Sequence, residues 1–358
     1  MLSRTFARGL TAPAFYHRAP LVREIDLPAL IADPLPPARR LSMRERHLVV
    51  DAGRAMLTAL GRETDAVAAS YPKGVAWHDL GRGAAVALYT MRAERRGAFD
   101  SHVGFMLFKN GLAVGYGGGW PFLGTCKIGV NILAPYRGGE SAWLFGQVLR
   151  VYAQRFAVER FVAEPSQIGH RNREGLASGA YWFYYRLGFR TADARLARIA
   201  DEEAALMAAD RGHRTPMATL RRFTRSDLEL PLARPDWLGD RAHACDPADL
   251  SLAVSAWIAR RFHGDRNAAE VAALRIVTRA LGAARHERSS DDTRRAFRDL
   301  ALLVAQIPDL AHWSHRDKRD TLAVMRARSG DEFRYFARLQ KHDRLRAALI
   351  AIGERAAA

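Results

Sequence analysis

The chain reads as an α/β (α+β) protein: a mixed central sheet flanked by helices, followed by a helical C-terminal domain. Three observations predict this. Short apolar runs of strand length cluster between residues 85 and 133 with a hairpin signal among them. From Lys127 to Arg190 the pattern alternates strand, helix, strand, helix, which requires at least one right-handed crossover. Beyond about residue 195 only helical spacing is legible, which predicts a helical appendage.

The elements follow in order. Residues 1–40 carry six prolines and are expected to be extended and irregular. Residues 42–69 place Leu48, Val49, Ala52, Met56, Leu57 and Leu60 at helical spacing, and Tyr71-Pro-Lys-Gly74 then reads as a turn. Ala85–Met91 and His102–Phe108 read as strands, and Asn110-Gly111 reads as the tight turn of a hairpin returning along Leu112–Tyr116. Gly117-Gly-Gly-Trp120-Pro121 is expected to break that strand before the next, Lys127–Leu133. Ser141–Phe156 reads as a helix whose Leu144, Val148, Val151, Tyr152 and Phe156 share one face. Arg160–Glu164 is a strand stopped by Pro165, Gly175–Leu187 a single helix, and Gly188-Phe-Arg190 the start of a last strand. Residues 196–209, 247–263, 267–286, 291–307 and 318–352 read as helices, with Pro231–Pro247 as the linker. The expected divisions are 1–40 as a leading segment, 41–230 as the sheet-bearing domain, and 231–358 as the helical domain.

At 358 residues two domains are the natural expectation, and 49% hydrophobic with 26% charged residues is ordinary for a globular chain. The net charge of +17 rests almost wholly on arginine, since only five of the 55 basic residues are lysine. That matches either a codon bias toward Arg and Ala or attraction to anionic partners. No compact basic tract with interleaved aromatics stands out, so nucleic-acid binding has no motif to support it. Cys126 and Cys245, widely separated, make neither a zinc nor a disulfide framework, and fit a reducing, cytoplasmic compartment. No apolar run reaches transmembrane length. The basic, acid-free N-terminus has the character of a mitochondrial presequence were the source eukaryotic, and is read as an ordinary leading segment.

Two motifs carry chemistry. Asn131-Ile-Leu-Ala-Pro-Tyr-Arg137-Gly138-Gly139-Glu140-Ser141-Ala142 reads as strand, glycine-bearing turn and helix N-terminus, a geometry that points free backbone N–H groups at an anion such as phosphate. Ser178–Phe189 reads as a helix closed by Gly188, with Tyr184 one turn before the end. Together they point to a phosphate-bearing cofactor with a phenol nearby.

On these residues the block from about Ala84 to Arg190, a third of the chain, resembles the GNAT superfamily of acyl-CoA N-acyltransferases. Arg137 and Ala142 match that family's phosphate-loop pattern, and Glu140 stands where it has Gly, with Gly138 and Gly139 offering close backbone approach instead. The resemblance implies acetyl-CoA or another acyl-CoA as co-substrate and no metal. It places Ile132, Leu133, Ala134, Arg137, Gly138, Gly139, Glu140, Ser141 and Ala142 on the cofactor. It makes Tyr184 the acid that protonates the leaving thiolate, a role that a phenol of pKa about 10 can fill. It makes Glu164, at the end of the partner strand, the candidate base, and a backbone N–H before Arg137 the group that polarises the thioester. The implied acceptor is an amine, small-molecule or peptide. Asn131, Trp120 and Asn172 are candidate substrate contacts, with His170 beside them.

Each residue also has a plain structural reading. Tyr184 is one more core aromatic beside Tyr181, Trp182 and Phe183, Glu164 a strand-end carboxylate facing solvent or pairing with an Arg, and Arg171-Asn172-Arg173 a solvated loop. Gly117–Phe122 is either a ligand wall or a loop packed on the sheet. Two other functions fit the resemblance: an aminoacyl-tRNA-dependent transferase of related fold, or a degenerate binding or scaffold module. The loop discriminates between enzyme and scaffold. Free N–H groups at residues 138–142 favour an enzyme, whereas a Glu140 carboxylate capping those groups favours a scaffold.

Overall fold

The computed structural model describes residues 20–62, 65–100, 102–232, 245–283 and 291–357. Seven strands make one sheet in which spatial order follows chain order. They are β1 (Ser70–Asp79), β2 (Ala84–Met91), β3 (Val103–Lys109), β4 (Leu112–Phe122), β5 (Thr125–Ile132), β6 (Arg160–Ala163) and β7 (Leu228–Pro231). Every neighbouring pair is antiparallel except β5 and β6. The β3–β4 hairpin turns at Asn110 and Gly111, both at positive φ (50° and 80°), the conformation that selects this dipeptide.

Helices α1 (Leu27–Ala32), α2 (Met43–Ala59) and α3 (Asp65–Ala68) precede the sheet, and α4 (Ser141–Phe156) crosses from β5 to β6. Between β6 and β7 lie α5 (Pro165–Ile168), α6 (Arg173–Ala177), α7 (Ala180–Arg186), α8 (Ala194–Ala209) and α9 (Met217–Phe223). The C-terminal helices are α10 (Pro247–Phe262), α11 (Arg266–Leu281), α12 (Asp291–Val304), α13 (His315–Ala327), α14 (Glu332–Gln340) and α15 (Asp343–Ala357). Among the described residues no helix is long and apolar enough to cross a membrane.

The architecture is the expected mixed sheet with flanking helices, but several elements differ from expectation. The Tyr71–Gly74 turn is instead part of β1, absorbed as an irregularity between Ser70 and Val75, and Pro72 is accommodated because β1 is an edge strand. The Gly117–Pro121 tract does not break its strand: β4 runs to Phe122. Its glycines are there for room. A Cβ at Gly117 would come within 2.1 Å of the Gly129 carbonyl oxygen, and one at Gly119 within 2.8 Å of Cys126 Sγ. The single helix over 175–187 is two, because Gly179 sits at φ +67° and ends the first. Residues 188–190 form no strand; Arg190 makes only an isolated bridge to Glu229, and the last strand is β7, beyond the point where strand signals were expected to end. Residues 318–352 hold parts of three helices rather than one. The N-terminal stretch is not wholly irregular, since α1 forms behind an Asp26 cap. Its first 19 residues, and residues 233–244 of the expected linker, lie outside the described residues.

Two cores sandwich the sheet. The face bearing Met106, Phe108 and Tyr116 packs under α2, where Tyr89 donates to the Val49 carbonyl at 3.0 Å. The opposite face, bearing Phe105, Cys126 and Ile128, packs on Phe145, Tyr152 and Phe156 of α4. The leading segment straps α4 from outside: Arg150 and Gln154 donate to carbonyls of Ile31, Asp33 and Pro34. A Cβ on Gly146 would meet the Leu30 side-chain end at 2.8 Å, so a larger residue there would push Leu30 aside.

The C-terminal helices are fastened to the sheet by a buried charge triad. Glu332 of α14 pairs with Arg96 and Arg328, each at 2.5 Å, and all three side chains are at most 2% exposed. The arginines spend their remaining donors on carbonyls: Arg328 on Gly97 and Asp100, Arg96 on Arg328 and Gly330. Phe333 and Phe336 complete the contact against Phe156. Truncating one member strands a buried charge, so Glu332→Ala is expected to lose about 3–5 kcal/mol of unfolding free energy. Urea unfolding checks this; a loss below about 1 kcal/mol would show that the triad is not a fastening.

Candidate functional site

The β5–α4 junction builds a loop with open backbone N–H groups. Gly138 (φ +76°) and Gly139 (φ +50°) turn the chain so that α4 begins at Ser141. The Ser141 N–H is used by the Gly138 carbonyl at 2.9 Å, but among the described residues no acceptor meets the N–H groups of Gly138, Gly139, Glu140, Ala142 or Trp143. Glu140 does not cap them. Its carboxylate, 6% exposed, turns away to Lys109 Nζ (2.7 Å) and Arg82 (3.8 Å), and accepts from the Val22 N–H (3.2 Å). Burial pushes its pKa up, but these partners outweigh it and hold the group below the usual carboxylate range. Lys109 and Arg82 also lie over the Trp143 ring, at 5.1 and 5.9 Å. Glu140 therefore ties the strap and strand β3 to the loop and leaves the loop's donors open. Arg137, the motif arginine, is about half-exposed; its Nε donates to the Ile132 carbonyl at 3.0 Å and its Nη2 pairs with Glu174 at 2.6 Å.

Beside this loop the sheet opens. β5 pairs with β6 only over Thr125–Lys127, while β5 itself runs to Ile132. The Leu133 N–H bonds the Val114 carbonyl of β4. Alternation along the strand then points the N–H groups of Ile128, Val130 and Ile132 the other way, into the opening. Tyr184 of α7 reaches the same place. It is 2% exposed, packed edge-on against Phe145 and Phe189, and its Oη makes no well-formed hydrogen bond among the described residues. Burial raises its pKa strongly, and the Val130 N–H lies near enough to temper the rise. Tyr184 is thus a core aromatic, as its plain reading has it, and also a protonated phenol facing an edge amide. Its neighbour Tyr181 is equally buried but stacks on Phe223, away from the strand.

On the other face of the sheet the register lines up one residue from each of four strands: Trp120, Lys127, Val162 and Glu229. This row floors a cavity of about 470 Å³ whose walls include Asp100, Glu164, Asp227, Cys245 and Asp246. Glu164 ends β6 and pairs with Lys127 at 3.2 Å; Asp246 takes the same ammonium at 2.7 Å. Burial alone would lower the Lys127 pKa, but these two carboxylates raise it above its ordinary value. Trp120 is 39% exposed and stacks on His102 at 3.9 Å, so the glycine tract does hold an aromatic wall at the cavity.

The structure thus brings together Arg137 to Ala142 at the loop, Tyr184 with the β5 edge at the opening, and Glu164 with Trp120 at the cavity. Ile132 is buried, Leu133 packs under α2, and Ala134 is exposed in a short turn. Asn131 is exposed beside Tyr116. Asn172 is occupied: it caps α6 by accepting from the Gly175 N–H and donates to the Ser166 carbonyl, both at 3.0 Å. His170 is exposed. Sequence reasoning missed Lys127, Asp227, Glu229 and Asp246, which converge only through register, and Gln167, whose amide lies where a Gly129 Cβ would stand. Gly129, a glycine inside a strand, marks that close approach. Among the described residues no group of His, Cys, Asp or Glu is placed to hold a metal ion.

Compared with protein-family models, curated proteins and solved structures, the chain matches none.

Because the folded-state pKa of Glu140 is depressed, its contribution to stability is present above the unfolded carboxylate pKa, about 4.3, and is lost as pH falls through the folded value. Glu140→Gln is therefore expected to destabilise by about 1–2 kcal/mol at pH 7, with the difference closing below about pH 4. Denaturant melts of both proteins at pH 7 and 3.5 check this; a difference independent of pH would contradict it.

Proposed function

We propose that the protein transfers an acyl group from acyl-CoA to an amine. The observation that carries this reading is the opening between β5 and β6, which sets the protonated Tyr184 phenol beside the free edge of β5 and next to an N–H-lined loop. The residues suit such a co-substrate. Five open N–H groups at a helix N-terminus favour a pyrophosphate, and Glu140, turned away to Lys109, leaves them available, the arrangement that favours an enzyme over a scaffold.

When bound, acyl-CoA supplies an activated thioester. The Val130 N–H donates to the carbonyl oxygen as negative charge grows there. Glu164, in the cavity on the far face, accepts the proton that the attacking amine loses. The carbon–sulfur bond breaks as the carbon–nitrogen bond forms, and the Tyr184 O–H donates its proton to the departing sulfur. A phenol whose pKa is raised stays protonated through neutral pH, the state this donor role needs. The opening lets the two substrates meet from opposite faces of the sheet.

Thermal unfolding with CoA, acetyl-CoA and longer acyl-CoAs tests the binding half. A species at a hundred times its Kd is expected to stabilise by roughly 2.7 kcal/mol, and Arg137→Glu to abolish the shift. No shift with any species would overturn the reading. For the chemical half, Tyr184→Phe is expected to keep CoA binding and lower kcat about 10²-fold in an acceptor screen; unchanged kcat would remove Tyr184 from the mechanism.

A further inference from the structure

The cavity over the Trp120–Lys127–Val162–Glu229 row is anionic in a chain of net charge +17. Asp100, Glu164, Asp227, Glu229 and Asp246 line it, and Lys127 is its only lining cation among the described residues. Lys127 answers Glu164 and Asp246, and Arg160 answers Glu229 at 3.2 Å from the side. Asp100 and Asp227 have no ion-pair partner among the described residues; Arg328 donates to the Asp100 carbonyl oxygen, not to its carboxylate. Burial raises the pKa of both groups and neighbouring carboxylates add to the rise, while Arg328 opposes it at Asp100 and Lys127 at Asp227. Carboxylates thus outnumber cations around a half-enclosed space.

The shape of this charge decides what it suits. The carboxylates are spread around a volume of about 470 Å³ and do not converge as metal ligands. That volume falls in the range of small-molecule sites. Trp120, flattened on His102 at 3.9 Å, offers a ring face to an alkylammonium. Val162 and Phe122 supply apolar floor and wall for methylenes between charges.

We infer that this cavity binds a small amine carrying two or more positive charges, a diamine or polyamine, with one nitrogen near Glu164 and another held by Asp227. The inference rests on the acyl-transfer reading only in making that amine the acceptor; binding itself needs no acyl donor. The ligand's charge would offset that of the carboxylates, and a monoamine would leave Asp100 and Asp227 unanswered.

Isothermal titration of the full-length protein with spermidine, putrescine and butylamine, without any CoA species, tests it. Spermidine is expected to bind at least 10-fold tighter than butylamine, with affinity falling as salt rises. Asp227, exposed ahead of β7, is replaced without disturbing the core; Asp227→Asn is expected to weaken spermidine at least 5-fold and Asp227→Lys to abolish binding, with unchanged Tm in the absence of ligand. Equal affinity for butylamine, no detectable spermidine binding at 1 mM, or indifference to both variants would overturn the inference. Spermidine binding that follows Asp227 in a protein that no CoA species stabilises would uphold the cavity and defeat acyl transfer.

Discussion

The early end of the β5–β6 ladder is the constraint on which the rest of the site depends. Parallel pairing stops after Lys127 and Val162, yet β5 continues five residues further. Edge groups left unpaired in a sheet interior are normally covered or paired. Here α5 and α7 stand where β6 would have continued, bringing Gln167 over Gly129 on one face and Tyr184 to Val130 on the other. Pro165 enforces the stop: it starts α5 directly after Glu164, so β6 cannot extend. One local sequence decision thus interrupts the ladder and leaves the far half of β5 facing helices instead of a strand.

Two fastenings hold that region in shape. Glu140 gathers Lys109, Arg82 and the Val22 N–H, so that the loop, the end of β3, the β1–β2 turn and the leading strap are tied together. The Arg96–Glu332–Arg328 triad fixes the C-terminal helices to the β2–β3 connection, and the Asp100 carbonyl that Arg328 holds belongs to a residue of the cavity wall. Asp246, capping α10, reaches Lys127 on the floor. The helical C-terminal part therefore shapes the cavity proposed for the amine, while the loop and α4 shape the side proposed for the acyl donor. The triad is buried throughout, and at the loop the Glu140 carboxylate is, the condition under which breaking a single member is costly.

Much of this was legible in the chain, because local rules wrote it. Asn110-Gly111 specified a hairpin, and the apolar stripe of residues 141–156 specified α4 to its ends. Glycine and proline misled where tertiary packing overrode them: Pro72 and Gly74 sit inside β1, and Gly117–Gly119 stay in β4 because Gly129, Cys126 and Tyr152 crowd against them. The loop and Tyr184 were readable as motifs, since their geometry is set by neighbours in sequence. The cavity was not. Trp120, Lys127, Val162 and Glu229 are aligned by register across four strands, and Asp246 arrives from the C-terminal helices, so no window of sequence contains them together.

Hydrogen–deuterium exchange with and without CoA reports on the central claim directly, because the free amides it concerns are named. Slowed exchange is expected in peptides covering residues 128–143 and, through the packing of Tyr184, in those covering 180–187. Protection confined to other segments, or none in 128–143 under saturating CoA, would contradict it.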